Sequence, residues 1–139
     1  MRVLAGGVGV VAMVLVGWSL RVGTVEAQQV DASKPEFYTT QVLPILKANC
    51  YKCHAGATPK GGLSLETKAG MLKGGMDGSV LVPGDPKKSL IVRLIRHEGP
   101  ADDPMPMPKG AAKLSDADIA TITEWVKAGA VMPAAPPAQ

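Results

Sequence analysis

The chain's two cysteines, Cys50 and Cys53, stand three positions apart, and His54 follows the second one directly. Cys-x-x-Cys-His is the signature of covalent haem attachment. At this spacing each thiol can add to one vinyl group on the same edge of a porphyrin, while the adjoining imidazole swings under the ring to reach the iron. The motif predicts one covalent haem c per chain, held by thioethers at Cys50 and Cys53, with His54 as the proximal iron ligand.

Three other uses of the cysteine pair fit the sequence less well. A thioredoxin-like pair follows a strand in a βαβ unit, whereas the residues before Cys50 have a helical pattern. A structural zinc site needs further ligands, and His97 is the only other histidine. Soft-metal binding by thiols and a methionine leaves the position of His54 unexplained. A disulfide between the two cysteines closes too short a ring to stabilise a fold.

The length and composition allow one small domain that lacks large core side chains. The chain has 139 residues, 4% aromatic residues, 19% charged residues and a net charge of +3. These values exclude a second domain of comparable size, a disordered chain and a densely basic nucleic-acid binder. With so few aromatic residues, we expect the haem to supply missing apolar surface and the haem-free chain to fold poorly.

The N-terminus predicts export. Arg2 precedes an uncharged run at 3–20, and small residues flank Glu26 at the end of the segment, as a signal peptidase prefers. Residues 1–27 are therefore predicted to be a cleaved signal peptide, with a retained membrane anchor as the alternative. The rest divides into a disordered leader at 28–34, one domain at 35–132 and a flexible tail at 133–139. Export suits haem attachment, which in bacteria takes place outside the cytoplasm, so a periplasmic location is expected.

Hydrophobic spacing predicts an all-α domain. A first helix is expected at 36–48 with a kink at Pro44, a second from an Asp85-Pro86 cap through His97, and a last one from a Ser115 capping box to Gly129. A short helical turn is possible at 67–72, and the proline-rich stretch at 98–113 is expected to be a shaped loop. The predicted core consists of Leu46, Leu63, Leu90, Leu94, Ile119, Ile122 and Trp125.

From Phe37 to Met132 the chain resembles the small class I cytochromes c, and more narrowly the planctomycete-type cytochrome c domain. The matching segments are Val42-Leu43-Pro44-Ile45-Leu46 before the cysteine motif, Gly62-Leu63-Ser64-Leu65, Val82-Pro83-Gly84-Asp85-Pro86, and the Met-Pro run before Leu114-Ser115. The resemblance implies a cytochrome c-like fold whose helices wrap around one haem, and a methionine as the sixth iron ligand.

Three residues compete for that sixth position. In the cytochromes that this chain resembles, the ligand methionine precedes a proline and stands seven residues before the apolar residue that introduces the last helix. Met107 has this spacing to Leu114, so it is the expected ligand. Met105 also precedes a proline and is the alternative, and His97 is the third candidate. A thioether ligand is expected to raise the reduction potential relative to a second histidine.

The expected function is single-electron transfer between redox partner proteins, without substrate turnover. Two alternatives remain open: a haem enzyme or small-molecule site with an open sixth position, for which His97 is the available distal group, and a haem module that senses redox state for a partner. Basic residues on or near the second helix are either a solvated face or a docking patch for an acidic partner or a haem propionate. These residues are Lys87, Lys88, Arg93 and Arg96. Nucleic acid is not an expected partner, and the membrane is one only if the N-terminal segment is retained.

Overall fold

The computed structural model describes residues 30–98 and 105–134, and within these ranges the fold is helical with no strands. The predicted signal segment at 1–27 lies outside the described residues. Among the described residues, no helix has both the length and the apolar character needed to cross a membrane. The helices are α1 (Pro35–Phe37), a π-helix (Tyr38–Val42), α2 (Leu43–Asn49), α3 (Tyr51–His54), a 3₁₀ turn (Lys60–Gly62), α4 (Lys68–Lys73), α5 (Leu90–Ile95) and α6 (Asp116–Lys127).

The first predicted helix is confirmed as one run of helical residues from α1 to α2. Pro44 lies in the first turn of α2, directly after the π-helix. A proline ring clashes with the carbonyl four residues earlier in a regular α-helix. The wider π turn relaxes this crowding, so the chain continues to Asn49 instead of breaking at Pro44.

The second helix is shorter than predicted, because the Asp85-Pro86 pair begins a turn and not a helix. The Asp85 carboxylate accepts from the Lys88 backbone N–H at 3.1 Å, and α5 starts only at Leu90. The hydroxyl of the fully buried Ser89 accepts from Val82 N–H at 2.9 Å and lies within 3.0 Å of the Val82 and Asp85 carbonyls. These bonds hold Ser89 in an extended conformation, which delays the helix.

Helix α5 also ends earlier than predicted. His97 has φ of 56°, and its N–H bonds the Leu94 carbonyl while Glu98 N–H bonds the Arg93 carbonyl. This is the Schellman arrangement, in which the residue after the C-cap is left-handed and is usually glycine. His97 therefore closes the helix and does not extend it.

Helix α6 has both predicted ends. The Ser115 hydroxyl accepts from Asp118 N–H at 3.1 Å, which satisfies one of the free donors of the first turn. At the other end Gly129 has φ of 102°, and Ala130 N–H bonds the Trp125 carbonyl at 2.9 Å. The capping pattern and the terminal glycine were thus reliable guides to this helix.

The core lies where α6 crosses the π-helix. Trp125 is fully buried, and its ring lies 5.5 Å from that of Tyr38 with a tilt of 37°. Two bonds tie the connecting segments to the end of α6: Gly84 N–H donates to the Val126 carbonyl, and the Lys68 ammonium donates to the Gly129 carbonyl. The buried residues include Tyr38, Val42, Leu46, Leu65, Met71, Leu81, Val92, Ile119, Ile122, Trp125 and Val126.

Three of the predicted core residues are only half-buried. Leu63 and Leu90 pack against the core cluster with one part exposed, and Leu94 has intermediate exposure. The other four predicted core residues are buried. The polypeptide alone therefore buries Trp125 completely and leaves part of the surface of these three leucines exposed.

Candidate functional site

The cysteine motif forms its own short helix at the end of the N-terminal helical run. Helix α2 ends at Asn49, the backbone changes direction at Cys50, and α3 then carries the rest of the motif. The Cys50 carbonyl accepts from the N–H groups of Cys53 at 3.0 Å and His54 at 2.9 Å. One helical turn thus separates the two cysteines, which places residues three apart on the same side of a helix.

Both thiols are free and half-buried. Burial is the larger cause and the neighbouring Cys53 the smaller cause that together raise the pKa of the Cys50 thiol to about 11. The Cys50 sulfur therefore carries its proton near neutral pH. Metal binding requires the thiolate, which the burial of Cys50 disfavours.

His54 is half-buried, and its ring nitrogen Nδ1 is buried with no hydrogen-bond partner among the described residues. Its backbone is held firmly, because the His54 carbonyl accepts from Leu65 N–H at 2.8 Å. A buried nitrogen without a hydrogen-bond partner costs free energy. These features fit a histidine whose orientation is completed by a bond to iron. The donor set as a whole, two free thiols and one imidazole, fits haem c.

The candidates for the sixth ligand lie beside the end of α5. The Leu94 carbonyl accepts from the backbone N–H of both His97 and Met107, each at 3.1 Å. Met107 is half-buried, Met105 is 39% exposed and His97 is exposed. The two methionines therefore share one anchored loop, and His97 occupies the adjoining helix end.

A pair of tyrosines, whose direct contact the sequence does not predict, joins the motif to the core. The Tyr51 hydroxyl lies 3.4 Å from that of Tyr38 and 3.4 Å from the Leu65 carbonyl. Burial is the main cause that raises the pKa of both tyrosines. Tyr51 stands between the two cysteines and Tyr38 packs on Trp125, so the pair links α3 to α6. Helical periodicity gives no signal for it, because the two residues belong to different helices.

Two of the four basic residues predicted on or near the second helix form side-chain ion pairs or hydrogen bonds in the described part of the chain. Lys88 pairs with Asp85 at 3.3 Å, and Arg96 lies 3.8 Å from Glu98 and donates to the Thr123 hydroxyl at 3.2 Å.

Within 30–98 and 105–134, no group of three or more His, Cys, Asp or Glu side chains is arranged to hold a metal ion.

Comparison with known families agrees with the motif. Residues 50–110 match the family model described as Planctomycete cytochrome C. This match confirms the resemblance drawn from the sequence, and it includes the cysteine motif, α4, α5 and both candidate methionines. No curated protein and no solved structure matches the chain.

Proposed function

We propose that this protein is an exported c-type cytochrome that carries one covalent haem and transfers single electrons between redox partner proteins. The observation that carries the proposal is the half-buried Cys-x-x-Cys-His turn, which lies inside the segment that matches the cytochrome family. Haem c, when bound, supplies an iron that takes up and releases one electron. The polypeptide has to hold that group, exclude water from it and leave it accessible to partners.

Attachment is assigned to Cys50 and Cys53. Each thiol adds across one vinyl double bond, so that sulfur bonds to one carbon, the hydrogen goes to the other, and no atom is lost. The half-burial of both cysteines and their placement one helical turn apart support this role. His54, one residue further, is the proximal iron ligand, and its backbone bond to Leu65 limits its movement.

The haem is expected to cover the open side of the apolar interior. Leu63, Leu90 and Leu94 are half-buried in the polypeptide alone, and a macrocycle packed on them would remove apolar surface from water. Met107 is proposed as the sixth ligand, with Met105 as the alternative. The bond from Met107 N–H to the Leu94 carbonyl supports Met107, because it fixes that residue beside α5.

The enzyme alternative gains no specific support. It needs an acid-base group over an open iron position, and His97, which the sequence offered for that role, is exposed at the end of α5. The sensing alternative needs a partner whose activity follows the state of the haem, and nothing in the described chain favours it.

A pyridine haemochrome spectrum with intact mass tests the proposal. Protein made in the periplasm with the haem-attachment machinery should show a c-type haemochrome, a mass increased by one haem, and no haem loss to acid-acetone extraction. The mass of the bare polypeptide would overturn the proposal. A high-spin haem that reacts rapidly with peroxide would instead favour the enzyme.

A further inference from the structure

The segment that follows the haem motif displays an unusually exposed methionine. Met76 is 88% exposed and Leu72, at the end of α4, is 43% exposed. The nearby lysines Lys60 and Lys73 are exposed as well. These four residues are called the Met76 surface below.

The backbone under Met76 is held in place. Met76 N–H donates to the Gly61 carbonyl at 2.9 Å, and Gly75 and Gly78 bond each other on either side of the tip. A side chain at Gly75 would bring its Cβ within 2.5 Å of the Gly61 carbonyl oxygen. Only glycine allows this close approach, so the tip is fixed against the 3₁₀ turn and presents Met76 outward.

The Met76 surface lies next to the proposed haem site. The 3₁₀ turn that carries Lys60 and Gly61 contacts α3, and α3 contains His54. Two further bonds fasten the same region to the motif: Leu65 N–H to the His54 carbonyl at 2.8 Å, and Gly56 N–H to the Glu66 carboxylate at 2.9 Å. Electron tunnelling falls steeply with distance, so a partner that docks here is well placed for transfer.

The charge of the Met76 surface favours an acidic partner. No carboxylate lies within ion-pair distance of Lys60 or Lys73 among the described residues, so both ammonium groups are available to a partner. On the α5 side Lys88 and Arg96 each have one, whereas Lys87 and Arg93 have none in the described ranges and therefore serve as the matched control below. Asp77 is the one acidic residue at the tip. An apolar centre with a charged rim is the composition of a protein docking site, and methionine is enriched at such centres.

We infer that the Met76 surface docks an acidic redox partner protein, with Met76 at the centre of the contact and lysines at its rim. This inference rests on the proposed electron-transfer function and names the face that serves it. It places the contact beside His54 instead of on the basic residues of α5. Rim lysines act mainly on the rate of encounter, so their effect depends on ionic strength.

Small oxidants of opposite charge test through which region of the protein surface the electrons leave the haem. Each molecule of reduced protein gives one electron to hexacyanoferrate(III), which becomes hexacyanoferrate(II), or to tris(phenanthroline)cobalt(III), which becomes the cobalt(II) complex. Lys60→Glu with Lys73→Glu should slow the anionic oxidant about tenfold at low ionic strength and accelerate the cationic one, and both effects should shrink at high salt.

The matched control is Lys87→Glu with Arg93→Glu, which changes the net charge equally on the α5 side. It should alter both rates less than twofold. Equal effects of the two double variants, a larger effect of the control, or no effect of either would each overturn the inference. The haemochrome spectrum of every variant is recorded first. Absence of haem from the parent protein refutes the proposed function, whereas intact haem with unmoved rates refutes only the docking site.

The apolar centre is tested on an electrode coated with mixed carboxylate- and methyl-terminated thiols, which stands for an acidic protein surface. Met76→Ser should lower the amount of electroactive adsorbed protein severalfold. Val30→Ser, at a 36% exposed apolar residue elsewhere, should leave that amount unchanged. Equal adsorption of Met76→Ser and the parent would show that Met76 is not part of the contact.

Discussion

The two sides of the apolar interior differ in how completely the polypeptide covers them. Around Trp125 the side chains are fully buried, and Tyr38, Val42 and Val126 close the packing. Around Leu90 the apolar side chains pack against the same core and keep part of their surface exposed. Proteins of this size rarely leave apolar surface uncovered without a use for it. The polypeptide alone buries the side chains around Trp125, whereas the partly exposed side chains around Leu90 fit a site that a bound group covers.

Replacement of both haem-attachment cysteines should change the fold more than any other substitution considered below. Cys50→Ala with Cys53→Ala should abolish covalent haem and leave a chain with reduced helix content, because the open side then has nothing to cover it. Far-ultraviolet circular dichroism and intact mass measure both effects. The single variants, which each leave one thioether, are the controls. Native-like helix content with a sharp melt in the double variant would show that the closed side folds unaided.

Substitution of the sixth ligand should change the ligation of the iron without detaching the haem. Met107→Ala should remove the methionine-to-iron absorption band near the red edge of the visible spectrum. It should also lower the reduction potential, because thioether ligation raises that potential. Met105→Ala and His97→Ala serve as matched controls and should keep the band. A band that survives Met107→Ala and disappears with Met105→Ala assigns the ligand two residues earlier. A parent protein without the band has no methionine ligand.

Truncation of Trp125 tests the closed side. Trp125→Ala should lower the free energy of unfolding of the holoprotein by about 3–5 kcal/mol, as is typical for large aromatic residues in a core. Urea unfolding measures the change. Glu124→Ala, at the exposed neighbour, should change stability by about 0.5 kcal/mol or less. A loss below 1 kcal/mol for Trp125→Ala would mean that the packing around Trp125 contributes little to the free energy of unfolding.

Truncation of Leu90 sharpens the contrast between the sides. Leu90→Ala should destabilise the holoprotein by about 2 kcal/mol, because it removes apolar contacts with the core and with the bound haem. In the poorly folded double cysteine variant the same substitution should leave the residual helix content nearly unchanged, because the haem that Leu90 would contact is absent. Urea unfolding of the holoprotein and far-ultraviolet circular dichroism of the haem-free variant measure the two effects. A loss of stability below about 0.5 kcal/mol in the holoprotein would mean that Leu90 does not contact the haem.

The smallest expected effect lies at the end of α5. His97→Gly should stabilise the protein by about 0.5 kcal/mol, because glycine adopts the left-handed conformation without steric strain, a gain partly offset by the freedom of the unfolded chain. Ala130→Gly, at the other left-handed non-glycine position among the described residues, is the contrast: its methyl group is fully buried, so the lost packing should cancel the gain from relieved strain. Thermal melting measures both. Destabilisation by His97→Gly alone would assign the imidazole a structural contact or a bond to iron.

The sequence predicted the elements whose signals are local. The cysteine motif, the Ser115 cap and the terminal Gly129 each act over a few residues, and the structure has helix ends or turns at each of them. The Asp85-Pro86 pair misled the prediction because the same residues can begin a turn. Ser89 decides between the two, and its hydroxyl bonds belong to a loop whose closure cannot be read from the chain order.

What the sequence by itself determined is the chemistry of the site: two thiols and an imidazole at a spacing that suits one macrocycle, inside a segment that resembles a cytochrome domain. What only the tertiary structure decided is where other residues lie around that site. Tyr38 meets Tyr51 and Trp125, Met107 and His97 share the Leu94 carbonyl, and Met76 is displayed beside the motif. The physical reason is that motif chemistry depends on neighbours in the chain, whereas these contacts join residues whose separation is set by the packing of different segments.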